Sequence, residues 1–316
     1  MTILARSCIK ANMNRLSTRD RGAVIQALCE GNSIRSTCRM TGAAKDTVTR
    51  LLVATGRAAA DYQDAVLRDL PCKRIQCDEI WGFVFAKART VASAKHAMPD
   101  GAGDAWTWTA ICRDTKLVPS WLVGQHSPED AHRFMADLAS RMAGRVQLTT
   151  DGHALYIDAV GAAFEGKVDF AQLVKTYTQA TVEGQRRYSP ARFVAAEKKI
   201  VFGAPERRDV STSHVERSNL NMRMGMRRLT RLTNAFSKKL DNLDAAVALH
   251  FMYRNFVAPH GSLRGKTPAQ AAGLSRYRWT AEEIAALLDD PQYADALKVQ
   301  MRPKRMSGSS LATAHS

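Results

Sequence analysis

Apolar residues recur along this chain with a helical period at its start, a strand-like period in its middle and a helical period again towards its end. Between residues 17 and 56 three short amphipathic segments follow one another, STRDRGAVIQALCEG, NSIRSTCRMTG and AAKDTVTRLLVATG, punctuated by Gly31 and Gly42. The spacing of the second and third predicts a helix-turn-helix with Gly42 at the tight turn. Thr37, Met40, Val48 and Leu51 would face inward, with Lys45, Asp46, Thr49 and Arg50 on or near the recognition face. A small trihelical domain without a DNA role would show the same helical spacing. The glycine turn before a helix bearing Thr and Arg favours DNA binding. Residues 57–72 read as a connecting helix or linker ending at Pro71.

After Pro71 the period changes to that of strands. KRIQCDEIWGFVFA is rich in β-branched and aromatic residues, and DAWTWTAICRDTK and LVPSWLVG predict the next two strands around a short Asp-Thr-Lys turn. SPEDAHRFMADLASRM predicts a helix with Ser127 as N-cap, Pro128 at the first helical position and acids in the first turn. RVQLTTD then reads as a fourth strand, HALYIDAVGAAF as a helix and VDFAQLVKTY as a fifth strand. Three strands in hairpin connection followed by alternating helix and strand predict an α/β fold, a mixed five-stranded sheet with flanking helices. That order resembles the ribonuclease-H-like one. Trp81, Trp106, Trp108 and Trp121 fall on these strands and are assigned to core packing.

Composition narrows the class. The chain has 316 residues, 45% of them hydrophobic, enough for a full α/β core and a smaller domain. It has no apolar run near the roughly 20 residues that span a bilayer and no signal-peptide pattern, so a cytoplasmic protein without membrane contact is expected. Its six cysteines form no CxxC pair, which argues against a zinc ribbon or a disulfide framework. The net charge is +16, and residues 186–239 carry fourteen Lys and Arg against four acids. A basic helix face is often simply solvated. Such concentration beside acidic residues is also what a groove holding a polyanionic backbone needs.

Three acids stand out against that basic background. Asp78 lies inside the first strand and Asp151 ends the fourth, its expected neighbour. Glu216 sits in the first turns of a helix expected to run to about Leu232. Singly, each has a structural reading: an Asp before Gly forms turns, and a Glu near a helix start complements the dipole. Together they describe a cage for two hard divalent ions, Mg²⁺ or Mn²⁺, beside a phosphodiester. Glu79 should turn away from that cage, because successive strand residues face opposite sides. On the helix, Asn219, Arg223 and Arg227 share the face of Glu216, with Leu220, Met224, Leu229 and Leu232 left as a packing stripe. His153 reads as a helix-start residue; His214 is open between ligand, DNA contact and no role.

CDEIWGF, TTDGHALY and HVERSNLNMRMGMRRLTRLTNAFSKKLDNLDAAVALHFMYRNFV together resemble the three catalytic blocks of DDE-type insertion-sequence transposases, most of all the family named after the first bacterial insertion sequence. The blocks cover roughly residues 72–260, and the chain lacks the cysteine-rich zinc motif with which those proteins often begin. The resemblance implies a ribonuclease-H-like catalytic domain in which Asp78, Asp151 and Glu216 bind Mg²⁺ or Mn²⁺, cut the element's ends and join the freed 3′-hydroxyl to target DNA. Lys45, Thr49, Arg50, Asn219, Arg223 and Arg227 would contact double-stranded DNA, and pairing two ends implies a homo-oligomer assembled on it. The expected organisation is a helix-turn-helix domain at 1–60, a linker at 61–72, the catalytic domain at 73–260, a helical extension at 261–300 and a disordered tail at 301–316. A helix-turn-helix regulator and a ribonuclease-H-type nuclease without strand transfer are the alternatives.

Overall fold

A computed structural model describes residues 16–178, 192–230 and 234–290. The expected disordered tail, the part of the helical extension after residue 290, and Leu232 lie outside the described residues. The first helices are α1 (Thr18–Cys29), α2 (Ile34–Thr41) and α3 (Lys45–Val66). Ser17 and Ser33 begin the first two by accepting from the Asp20 and Ser36 amides. Gly42 ends α2 at φ 72°, a conformation glycine adopts without steric cost. Val24, Val48 and Leu51 pack with Ile34 and Cys38 into a small core. Met40, expected inside, is 63% exposed: the buried stripe of α2 is Ile34, Thr37 and Cys38, at helical spacings that leave residue 40 outside.

Helix α3 runs through the expected linker as far as Val66 and lies along α8 (Leu240–Met252). At their crossing a Cβ on Gly56 would stand 2.1 Å from the Ala245 carbonyl oxygen, so only glycine fits this approach. Further along, Gln63 donates to the Ala248 carbonyl, and Asn255 donates to Gln63 and to the Val118 carbonyl, all buried. These polar contacts tie α3 to the sheet as well as to α8.

The sheet has six strands, in the order β3-β2-β1-β4-β5-β6. β1 (Arg74–Val84), β2 (Gly103–Cys112) and β3 (Ser120–Gly124) form the expected antiparallel meander. β4 (Val146–Asp151) and β5 (Val168–Thr178) add in parallel. The expectation of five strands is corrected by β6 (Arg192–Phe202), an edge strand antiparallel to β5. A mixed α/β sheet of this kind is compatible with a ribonuclease-H-like fold carrying one strand more. Between β1 and β2 lies the short α4 (Ala88–Ala92); α5 (Pro128–Ser140) and α6 (Leu155–Phe164) follow β3 and β4.

Trp108 is fully buried among Phe134 of α5 and Tyr156 of α6, whereas Trp121 packs on Phe251 of α8. Trp108 and Trp121 stand at alternating register positions, so α5 and α6 cover one face of the sheet and α8 the other. Trp81 and Trp106 are only half-buried, the latter stacked on His126 with ring centres 4.5 Å apart. α7 (Ser213–Gly225) lies against β1 and β2, and the short α9 (Pro268–Ala271) and α10 (Ala281–Ala286) close the described chain. α10 packs on α1, so the first and last described α-helices meet.

Candidate carboxylate site

The site forms where the sheet forks. β1 and β4 pair only from Arg74 to Gln76 with Gln147 to Thr149, while β4 stays paired with β5 as far as Asp151. Beyond Gln76 the edge of β1 therefore faces a gap, and Asp78 and Asp151 stand on its two sides. Carboxylate oxygens of Asp78, Glu79 and Asp151 lie within 4.8 Å of one another.

Glu79 was expected to turn away, and its backbone does. Asp78 faces α7, where Asn219 Nδ2 donates to its Oδ2 at 2.8 Å, and Glu79 faces α6 and Tyr156. With no β4 backbone alongside, the two side chains nevertheless reach the same gap from opposite faces. Alternation thus holds for the strand, but the inference drawn from it for the carboxylate is corrected.

Helix α7 carries the fourth acid. Its N-cap Thr212 makes no capping hydrogen bond; instead the buried Gln76 Oε1 accepts from the His214 and Val215 amides at 2.8 and 3.2 Å. A side chain of β1 thereby satisfies the first turn of the helix that delivers Glu216. Gln76→Leu strands those two amides and is expected to cost about 1–3 kcal/mol of stability, read by denaturant unfolding. A variant as stable as the parent would show that water or another group caps the helix.

The helix ends at Gly225, short of the expected Leu232, where Met226 turns to extended backbone. Its buried residues are Val215, Asn219 and Met222, while Leu220 and Met224 are 45% and 69% exposed. The packing stripe therefore differs from the expected Leu220 and Met224, and Asn219 belongs to the buried face. That burial aims its amide at Asp78.

Glu216 lines the same cleft as Asp78, Glu79, Asn219 and Arg223, a cavity of about 460 Å³. Its Oε1 is engaged by Lys175 Nζ of β5 and by Thr212 Oγ1. Lys175, Thr212 and Gln76 are site residues the sequence did not single out, and Glu79 is one it turned away from the cage. For Lys175 the available signal was its place on the strand beside Asp151.

Crowding and burial raise the proton affinity of Asp78 and Glu79. Burial, then the Asp151 charge, pushes the Asp78 carboxyl up to about 6 against the pull of Asn219. Burial above all takes Glu79 to about 8. Glu79 Oε1 and Asn219 Oδ1 are buried and accept no hydrogen bond, and the Tyr156 hydroxyl beside Glu79 completes none of ordinary geometry. A cluster of carboxylate oxygens that includes buried, unmatched lone pairs fits a hard divalent cation.

His153 donates its amide to Asp151 Oδ1 at 3.0 Å and packs edge-on against His126, whereas His214 Nδ1 lies 3.3 Å from Lys116 Nζ. Of the residues expected on DNA, Asn219 and Arg223 are in the carboxylate cleft. Lys45, Thr49 and Arg227 line a separate groove, where Thr49 Oγ1 donates to the Lys45 carbonyl. Arg50 is exposed and lines neither.

No family model and no curated protein matches the chain. Among solved structures it is similar to a cryo-EM structure of a piggyBac transposase synaptic complex with hairpin DNA, at 10% identity and a TM-score of 0.34. The match covers 96% of this chain and 78% of that one. A likeness of that size sets neither fold nor function. No described helix is long and apolar enough to cross a membrane.

Proposed function

We propose that the chain is a divalent-metal-dependent phosphoryl-transfer enzyme acting on DNA, a DDE-type insertion-sequence transposase with a ribonuclease-H-like core. The observation that carries this reading is the meeting of Asp78, Glu79 and Asp151 at the fork of the sheet, with Glu216 on the wall of the same cleft. In it, residues 1–60 are a helix-turn-helix unit for the element's ends, residues 73–260 the catalytic domain, and the working form is an oligomer in the cytoplasm that pairs two ends.

Asp78, Asp151 and Glu216 are the assigned ligands of Mg²⁺ or Mn²⁺, with Glu79 beside them. When bound, such ions supply Lewis-acid stabilisation of the charge on the phosphoryl oxygens and lower the proton affinity of a water or hydroxyl nucleophile. The chain's own residues do the positioning. Asn219 fixes the Asp78 carboxylate, Lys175 and Thr212 hold the Glu216 carboxylate on the cleft wall, and the Lys175 ammonium adds positive charge there. Arg223, on the cleft wall, complements the negative backbone of the strand being cut.

The test is nicking of DNA taken from either side of the gene, with Mg²⁺ or Mn²⁺ and with EDTA. Nicking by the wild type that needs the metal and disappears in Asp151→Asn is expected, together with products joined through a 3′-end. Nicking without joining would leave a nuclease; no nicking of either flank would remove the enzyme reading.

A further inference from the structure

A second cavity among the described residues lies away from the carboxylates. A groove of about 910 Å³ runs between the first three helices on one side and the end of α7, residues 234–238 and α8 on the other. Arg35, Lys45, Arg227, Arg228 and Lys238 line it, against Asp46 as its acid. Arg228 is the informative one. Burial lowers its proton affinity to about 10, its hydrogen bond is to Ser237 Oγ at 2.9 Å, and among the described residues no carboxylate pairs with it. Arg228 is partly buried on the groove wall, and a guanidinium so placed without a counter-ion favours an anion that completes it.

Two further features point into the groove. His250, 4% exposed, lines it with Nδ1 unpartnered. α3 opens there at Lys45 with no side-chain cap, so its first amides and helix dipole also favour negative charge. The groove is next to the carboxylate cleft: Arg223 lines the cleft, and Gly225, at the end of the same helix, lines the groove.

We infer that this groove is a second site for a phosphodiester backbone, holding a stretch of the DNA strand adjacent to the one in the carboxylate cleft. The inference rests on the DNA reading above and adds to it. Backbone contact is shared between the N-terminal helices and the catalytic half, and Lys45 serves a groove inside the molecule instead of an outward recognition surface. Asn234 adds a neutral amide beside the cations, the mixture by which proteins position phosphates without reading bases.

The test is fluorescence anisotropy with labelled duplex and single-stranded oligonucleotides and the full chain in EDTA, titrated between about 50 and 200 mM salt. Arg228→Gln/Lys238→Gln is expected to weaken binding to every sequence alike and to lower the slope of log affinity against log salt by about 1.4–1.8, the loss of two phosphate contacts. Arg276→Gln, an exposed cation outside both cavities, leaves slope and affinity unchanged. Should the Arg228 change unfold the chain, Arg35→Gln/Lys238→Gln uses exposed cations to the same end. Wild-type slope and affinity in a folded double variant, or no binding by the wild type, overturns the groove. Cleavage undiminished in such a variant sinks the groove and spares the enzyme; groove-dependent binding without cleavage does the reverse.

Discussion

Asp78→Asn is expected to abolish metal-dependent nicking while making the metal-free protein more stable above pH 6. The loss of activity should reach at least about 10²–10³-fold, the scale on which removal of one preorganised electrostatic group is felt. The gain in stability has the opposite origin. Asp78 is raised from 3.8 to about 6 in the folded chain, so its protonated form is the one folding favours. Its contribution is complete below the unfolded value and is lost as the pH rises through 6. Ionising it costs up to about 3 kcal/mol, a two-unit shift being worth roughly that much. Glu79, raised to about 8, adds to the same trend at higher pH.

The melting temperature of the wild type in EDTA should therefore fall between about pH 4 and pH 8, less steeply in Asp78→Asn, whose side-chain oxygen still accepts from Asn219. Mg²⁺ should recover the loss in the wild type, since a ligand that binds only the folded state stabilises it. A wild type whose melting point is flat in pH and indifferent to Mg²⁺ would remove the physical case for the cluster.

Gly56→Ala should be the most damaging conservative change outside the site. Alanine improves helix propensity by roughly 1 kcal/mol, but its Cβ would lie 2.1 Å from the Ala245 carbonyl oxygen and 2.6 Å from the carbonyl carbon. Neither atom is the end of a flexible side chain. α3 and α8 must separate, opening contacts along both, and a net loss of about 3 kcal/mol or more is expected, at the upper end for overpacked cores. Denaturant unfolding measures it, and an equal or raised midpoint would mean the helices are not in backbone contact. The N-terminal helices are thus built into the molecule through Gly56, Gln63 and Asn255.

Most elements were legible because burial enforces their pattern. β1 to β5 each have at least one covered face, α5 announces itself through Ser127 and Pro128, and Gly42 marks the turn it makes. β6 escaped for the converse reason. RFVAAEKKIVF is an edge strand whose Phe193, Val194 and Ile200 are all exposed, so no buried face imposes alternation on it. The sequence predicts a longer α7 because residues after Gly225 continue a helix-like alternation of Met, Arg and Leu.

Asp78, Asp151 and Glu216 were visible from their settings. Glu79 was set aside by a rule about directions, when its position depended on where a ladder of hydrogen bonds stops. Lys175 could not be read from spacing, because its partner is 41 positions away and joined to it only by the crossing of α7 over the sheet.

The parting of β1 from β4 after Gln76 and Thr149 has a consequence for how the molecule could be tuned. No backbone hydrogen bond fixes the distance between Asp78 and Asp151; the twist of the sheet does, and that is set by the apolar side chains beneath it. Substitutions at the buried Leu148, an apolar side chain beneath the strands, should therefore widen or narrow the space between the acids. Preference among cations of different radius would then be adjustable from the hydrophobic interior, with every acid left in place.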